Sequence, residues 1–197
     1  MCPVEFRSAK LHNLVMKIYW TFIFLIVPIV ASANPMFADG TQNSISISVA
    51  QSTGNKGLGP LVAPWDWKFS PQTVIIAQYS QPVTLLRLPA RINISALQNI
   101  AYHSADGASF GAVGVSWDVV LGSMCGWSFG VGIGPYRRDS GDKYVESRLV
   151  FGEKVFVGKN IGDRWRAELF TLHFSNGDFT ELNSGFNYLG LGVHYNF

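Results

Sequence analysis

At 197 residues the chain is long enough for one domain, and it is 48% apolar but only 14% charged, against roughly 25% charged for an ordinary soluble domain. Its 14 Phe, 6 Trp, 7 Tyr and 20 Gly exclude a disordered chain, which is charge-rich and aromatic-poor. They also exclude a helical bundle, which so many glycines and β-branched residues would destabilise. The formal charge of +2 suggests nucleic-acid affinity only until its charges are located.

The first 33 residues read as a targeting segment. Arg7, Lys10 and Lys17 precede an apolar run from Ile18 to Val30, which ends on the small-x-small signature Ala31-Ser32-Ala33 accepted by a signal peptidase. Those 13 residues are too few to span a hydrocarbon core of roughly 30 Å as a helix. Met16-Lys17 is the more ordinary start for such a signal. Cleavage after Ala33 leaves Asn34 to Phe197 with 12 basic and 12 acidic residues, so the basic excess departs and nucleic acid is excluded as a partner. Cys125 is then the one cysteine left, and no intramolecular disulfide can form. No Cys/His cluster has metal-ligand spacing, and the glycines of Gly130-Val131-Gly132-Ile133-Gly134 alternate as in a strand rather than cradling phosphate.

Beyond Ala33, period-two alternation predicts eight strands in turn. Ile45, Ile47 and Val49 alternate with serines, and a second segment spans about 73–80. Ile92, Ile94 and Ala96 oppose Arg91, Asn93 and Ser95 in the third. The fourth sets Val113, Val115, Trp117 and Val119 on one face, and the fifth Trp127, Phe129, Val131 and Ile133. A sixth is less clean over 144–157, the seventh covers 164–175, and the eighth, 186–197, aligns Leu189, Leu191, Val193, Tyr195 and Phe197.

The opposite faces are largely Gly, Ser, Asn and charge, which suits a barrel lumen. Aromatics near segment ends (Trp65, Trp67, Trp127, Tyr136, Trp165, Tyr195) sit where interfacial girdles belong. A last strand ending Tyr195-Asn196-Phe197 resembles the signal read by the outer-membrane assembly machinery of Gram-negative cells. The expectation is an all-β, eight-stranded antiparallel transmembrane β-barrel over residues 34–197. Its outer loops fall at about 52–72, 102–108, 137–143 and 176–185. Its inner turns fall at Gln81-Pro82, Gly122 to Gly126 and Gly158 to Asp163. Eight strands enclose only enough space for side chains, so activity belongs on the wall, rim or loops.

One constellation suggests chemistry. His173 and Ser175 in the run His173-Phe174-Ser175-Asn176 lie two apart on a strand, roughly 6.5–7 Å apart by Cα and on the same face. An imidazole so placed can take the proton of a serine hydroxyl. The face is that of Trp165, Ala167 and Leu169, so the pair projects outward near the membrane interface. The structural alternative is a lipid-facing strand that turns polar where it leaves the membrane.

The longer string Phe170-Thr171-Leu172-His173-Phe174-Ser175-Asn176-Gly177, then Asn183-Ser184-Gly185 and Tyr188-Leu189-Gly190-Leu191, resembles the PagL-type lipid A 3-O-deacylases and their wider acyloxyacyl-hydrolase-like family. The match is close over 165–197 and looser elsewhere. The resemblance implies an outer-membrane esterase without metal or other cofactor, acting on lipid A of lipopolysaccharide in the outer leaflet. Ser175 would be its nucleophile, His173 its general base and acid, and Asn176 and Asn183 its oxyanion hole. The family's triad glutamate falls on Asn187, and an amide cannot stabilise an imidazolium by charge. Glu181 or Asp178 from the adjoining loop could substitute, Asn187 could serve a weak enzyme, or the site is silent. The rival to the esterase is therefore a structural or adhesive barrel that keeps the scaffold without its chemistry.

Overall fold

The computed structural model describes residues 42–54, 57–102 and 109–197. The expected targeting segment, 1–33, lies outside the described residues. Alternation of small polar with β-branched or aromatic residues builds eight strands: β1 Ser44–Gly54, β2 Gln72–Leu85, β3 Leu88–Ala101, β4 Phe110–Met124, β5 Trp127–Arg138, β6 Leu149–Ile161, β7 Trp165–Ser175 and β8 Phe186–Asn196. Each pairs antiparallel with its sequence neighbour, and β1 pairs with β8 from Ser44↔Asn196 to Gly54↔Asn187, which closes the barrel.

One residue parity faces outward. Ile47, Ile94 and Leu191 are 62%, 60% and 66% exposed, as lipid-facing side chains must be in a chain considered without its membrane. The other parity is buried. Its lower tier is ionic: Arg91 contacts Asp118 at 3.0 Å and Glu168 at 3.1 Å, and Lys154 and Arg166 reach Glu168 at 3.1 and 3.2 Å. Its upper tier is apolar, with Phe110, Tyr136, Val150, Phe174, Phe186 and Tyr188 in one cluster. The lumen is thus half aromatic core, richer in large apolar groups than its Gly/Ser/Asn content predicts. Lumen glycines make the room: a Cβ at Gly190 would enter the Phe170 ring.

Three expectations shift. The β2–β3 turn is Leu86-Arg87, both left-handed at φ 51° and 68°, instead of Gln81-Pro82. Pro82 stays in β2 because β1 ends opposite Ser80; beyond that, the side facing β1 is an edge, where a missing N–H is tolerated. β6 begins at Leu149, not at 144, because the preceding segment turns over the barrel mouth. There Val145 is fully buried, bridges to Asn183, and accepts a hydrogen bond from Arg138 Nη1 at 3.0 Å. Tyr136, expected in an interfacial girdle, faces the lumen and packs edge-on against Phe174 at 5.1 Å, with glycine at Gly114 and Gly152 leaving space for its ring. Cys125 occupies the exposed β4–β5 turn with φ 53°.

Candidate active site on the outer wall

Alternation along β7 puts Trp165, Ala167, Leu169, Thr171, His173 and Ser175 on the outer face, and Arg166, Glu168, Phe170, Leu172 and Phe174 in the lumen. An outward His173 near the barrel's outer end should be accessible, yet it is 1% exposed. The cover is the connection after β1. A single helical turn, α1 (Gly59–Val62), packs against the outer ends of β6, β7 and β8. Thr171 Oγ1 donates to Leu61 O at 2.7 Å, Gly57 N–H to Ser184 O at 3.0 Å, and Trp67 Nε1 to Pro60 O at 2.7 Å. The polar interruption of the apolar wall is therefore roofed by the chain itself.

Under that roof His173 and Asn187 are direct cross-strand partners, with Nδ1 of the imidazole 2.9 Å from Oδ1 of the amide. Two backbone carbonyls decide which way the amide points. Asn187 Nδ2 donates to Gly57 O at 3.0 Å and to Gly54 O at 3.3 Å, so Oδ1 faces the ring. An acceptor at Nδ1 places the proton of the neutral imidazole there and leaves Nε2 as the lone-pair atom, the tautomer that a general base requires. An amide replacing a triad carboxylate ordinarily risks the opposite tautomer. Here the β1–β2 connection removes that risk.

The Nε2 edge of the ring lies against Gly185. That residue adopts φ +73°, and a Cβ on it would strike Cε1 and lie 3.1 Å from Nε2. Ser175 sits on the same face, half-buried and paired in register with Phe151. Among the described residues the imidazole's hydrogen bond is to Asn187, and none joins it to the Ser175 hydroxyl.

The remaining sequence candidates form a separate network in the β7–β8 loop. Asn176 is buried on the lumen parity; its Nδ2 donates to Thr180 Oγ1 and Leu182 O, and its Oδ1 accepts from Asp178 N–H. Its backbone N–H donates to Asn183 Oδ1 at 2.9 Å, while Asn183 Nδ2 donates to Asp178 Oδ1 at 2.7 Å. Glu181 is exposed, and neither it nor Asp178 bonds the imidazole. The structure thus joins His173 to Asn187 beside Ser175, and joins Asn176, Asn183 and Asp178 to one another.

Sequence reasoning missed two members. One is the carbonyl pair of Gly54 and Gly57, which no side-chain pattern can signal. The other is Glu153, directly opposite His173 on β6 and on the same outer face, with Oε2 buried and without a hydrogen-bond partner. Its signal was the odd-numbered alternation of β6 from Leu149, hidden by placing the strand's start at 144. Among the described residues no group of three or more His, Cys, Asp or Glu is arranged to hold a metal ion.

Comparison with known proteins bears on the family and the fold. A family model described as lipid A 3-O-deacylase (PagL) matches residues 64–196, all of the barrel from the end of α1 onward. No curated protein sequence matches significantly. Among solved structures, the outer membrane enzyme PagL is 14% identical with a TM-score of 0.56, over 78% of this chain and 99% of that one. Neisserial surface protein A is 11% identical with a TM-score of 0.56, over 79% and 97%. The N-terminal β-barrel domain of Pseudomonas aeruginosa OprF is 13% identical with a TM-score of 0.50, over 79% and 98%. At such identities the structural likenesses establish the fold, and the family match over most of the chain establishes kinship. The chain is a Gram-negative outer-membrane β-barrel and belongs to the lipid A 3-O-deacylase (PagL) family.

Proposed function

We propose that the protein is an outer-membrane ester hydrolase that removes the 3-O-linked acyl chain of lipid A. The observation that carries the reading is the orientation of Asn187, which leaves Nε2 of His173 free to accept a proton on the face that bears Ser175. Ser175 Oγ attacks the ester carbonyl as Nε2 takes its proton, and the imidazolium then protonates the departing sugar 3-oxygen. Water, deprotonated by the same nitrogen, cleaves the acyl-serine, so one water is consumed and a free sugar hydroxyl and a hydroxy fatty acid result. Asn183 forms the oxyanion hole by turning Nδ2 away from the solvent-exposed Asp178, while Asn176 holds the loop that presents it.

A wall-mounted site suits a substrate that never leaves the outer leaflet, because the lipid reaches it by lateral diffusion near the interface. The test is mass spectrometry of lipid A from cells that express the protein. Loss of one hydroxyacyl mass, abolished by Ser175→Ala, supports the enzyme. An unchanged spectrum at verified surface expression supports a silent structural or adhesive barrel instead.

A further inference from the structure

An amide at 187 answers one of two demands on the third triad member. It fixes the ring and its tautomer, but it carries no charge to set against the imidazolium. Among the described residues the wall around His173 holds one group that can. Glu153 is the β6 partner of His173 in the β6–β7 register, as Asn187 is its β8 partner. Directly opposed residues of an antiparallel pair carry Cβ atoms about 4.5–5.5 Å apart.

The other neighbours of Glu153 make its presence costly. Across β5 it faces Ile133, and along its own outer face it lies between Phe151 and Val155. Its Oε2 is buried and unpartnered, and the cation next to it in sequence, Lys154, points into the lumen to Asp118 and Glu168. An ionisable side chain on a membrane-facing wall is destabilising, and its retention asks for a partner and a use. Among the directly adjoining side chains the imidazole is the one that can become a cation.

We propose that the third triad function is divided between two strands: Asn187 on β8 orients His173, and Glu153 on β6 is a positioning residue that compensates the charge His173 gains in the transition state. The inference rests on the deacylase reading above. Glu153 does not touch the substrate. Its carboxylate stabilises the imidazolium across the strand pair, where exclusion of water strengthens the attraction. The division explains how a serine enzyme can work with an amide at the usual acid position.

The test uses the full-length barrel in outer-membrane vesicles with lipopolysaccharide as substrate, comparing wild type, Glu153→Gln and Glu153→Gln/Asn187→Glu. We expect Glu153→Gln to lower kcat about 10²-fold at unchanged KM, the usual scale for removing one electrostatic stabiliser. It should also raise the thermal midpoint of the barrel, since a buried unpaired acid is removed. Returning a carboxylate on the opposite side, in the double variant, should recover at least tenfold of kcat. A Glu153→Gln enzyme with wild-type kcat overturns the inference while the deacylase reading stands. A loss of activity together with stability, without recovery in the double variant, makes Glu153 structural and also overturns it. If the wild type itself releases no hydroxy acid, the deacylase reading fails and the inference fails with it.

Discussion

Among the described residues the barrel carries two buried histidines in contrasting company. His194 on β8 faces the lumen, 3.6 Å from Glu168, a carboxylate that Arg91, Lys154 and Arg166 also contact. His173 on β7 faces the wall, bonded to a neutral amide, pressed against a glycine, and beside an acid with no cation. Inside, each charge meets an opposite one, which is how a narrow barrel holds ionisable groups in its lumen. Outside, a carboxyl group has no cationic partner until the neighbouring imidazole becomes protonated. The same residue types serve the scaffold in the lumen and, on the proposed reading, chemistry on the wall.

The sharpest way to break this contrast is Asn187→Ala. It removes the acceptor that sets the His173 tautomer and the tether to Gly54 and Gly57. Loss of a triad orienter costs up to about 10⁴-fold in kcat. Folding should be unaffected, as judged by the heat-modifiable mobility of the barrel on gels. A variant that keeps its rate would mean that the wall cluster is as structural as the lumen cluster.

The converse variant, Glu168→Gln, should unfold at lower denaturant, by about 3–5 kcal/mol, the cost of breaking a buried ionic network. It should leave deacylation nearly unchanged, since position 168 is five residues down β7 from His173, roughly 16 Å along the strand. A rate loss without a stability loss would reverse the assignment of the two clusters. Gly185→Ala comes next. Its methyl group must displace the imidazole edge and adopt φ +73°, so kcat should fall about 10²-fold, the scale of a misplacement of about 1 Å, with a modest loss of stability. Normal kcat in that variant would show that the ring has room to move and is not held as the contrast requires.

Strand count, lumen parity and the outward face of His173 and Ser175 were legible because each is a matter of period two, which a single sequence carries. The Phe110, Phe174, Phe186 and Tyr188 tier shares that parity, but their packing into one cluster was not legible, because which rings meet depends on a register that glycines on neighbouring strands permit. Asn187 could be read as the family's third position, but the direction in which its amide points could not. That depends on carbonyls of Gly54 and Gly57, 133 and 130 residues away in the chain, and a backbone carbonyl leaves no residue-type signature. Glu153 stayed hidden for a related reason: it lies 20 positions before His173, and only the β6–β7 register brings them side by side.

The smallest effect tests the roof, and its sign carries the information. Thr171 Oγ1 holds α1 through Leu61 O, whereas the carbonyls that orient Asn187 belong to Gly54 and Gly57, ahead of α1 in the chain. Thr171→Val keeps the shape of the side chain and removes one hydrogen bond, about 1 kcal/mol, or roughly a fivefold shift toward an open α1. A roof that only competes with the lipid for the face of His173 should yield more readily to substrate, so kcat/KM should rise by up to about fivefold at constant kcat. Amide exchange at Ala63 and Asp66, whose N–H groups close the turns of this segment, should quicken in parallel. A fall in kcat by the same factor would mean that α1 also helps to hold the Gly57 carbonyl on Asn187. The wall cluster would then extend into the β1–β2 connection, and the contrast with the lumen would lie between a site assembled from loop and strands and one built from strands alone.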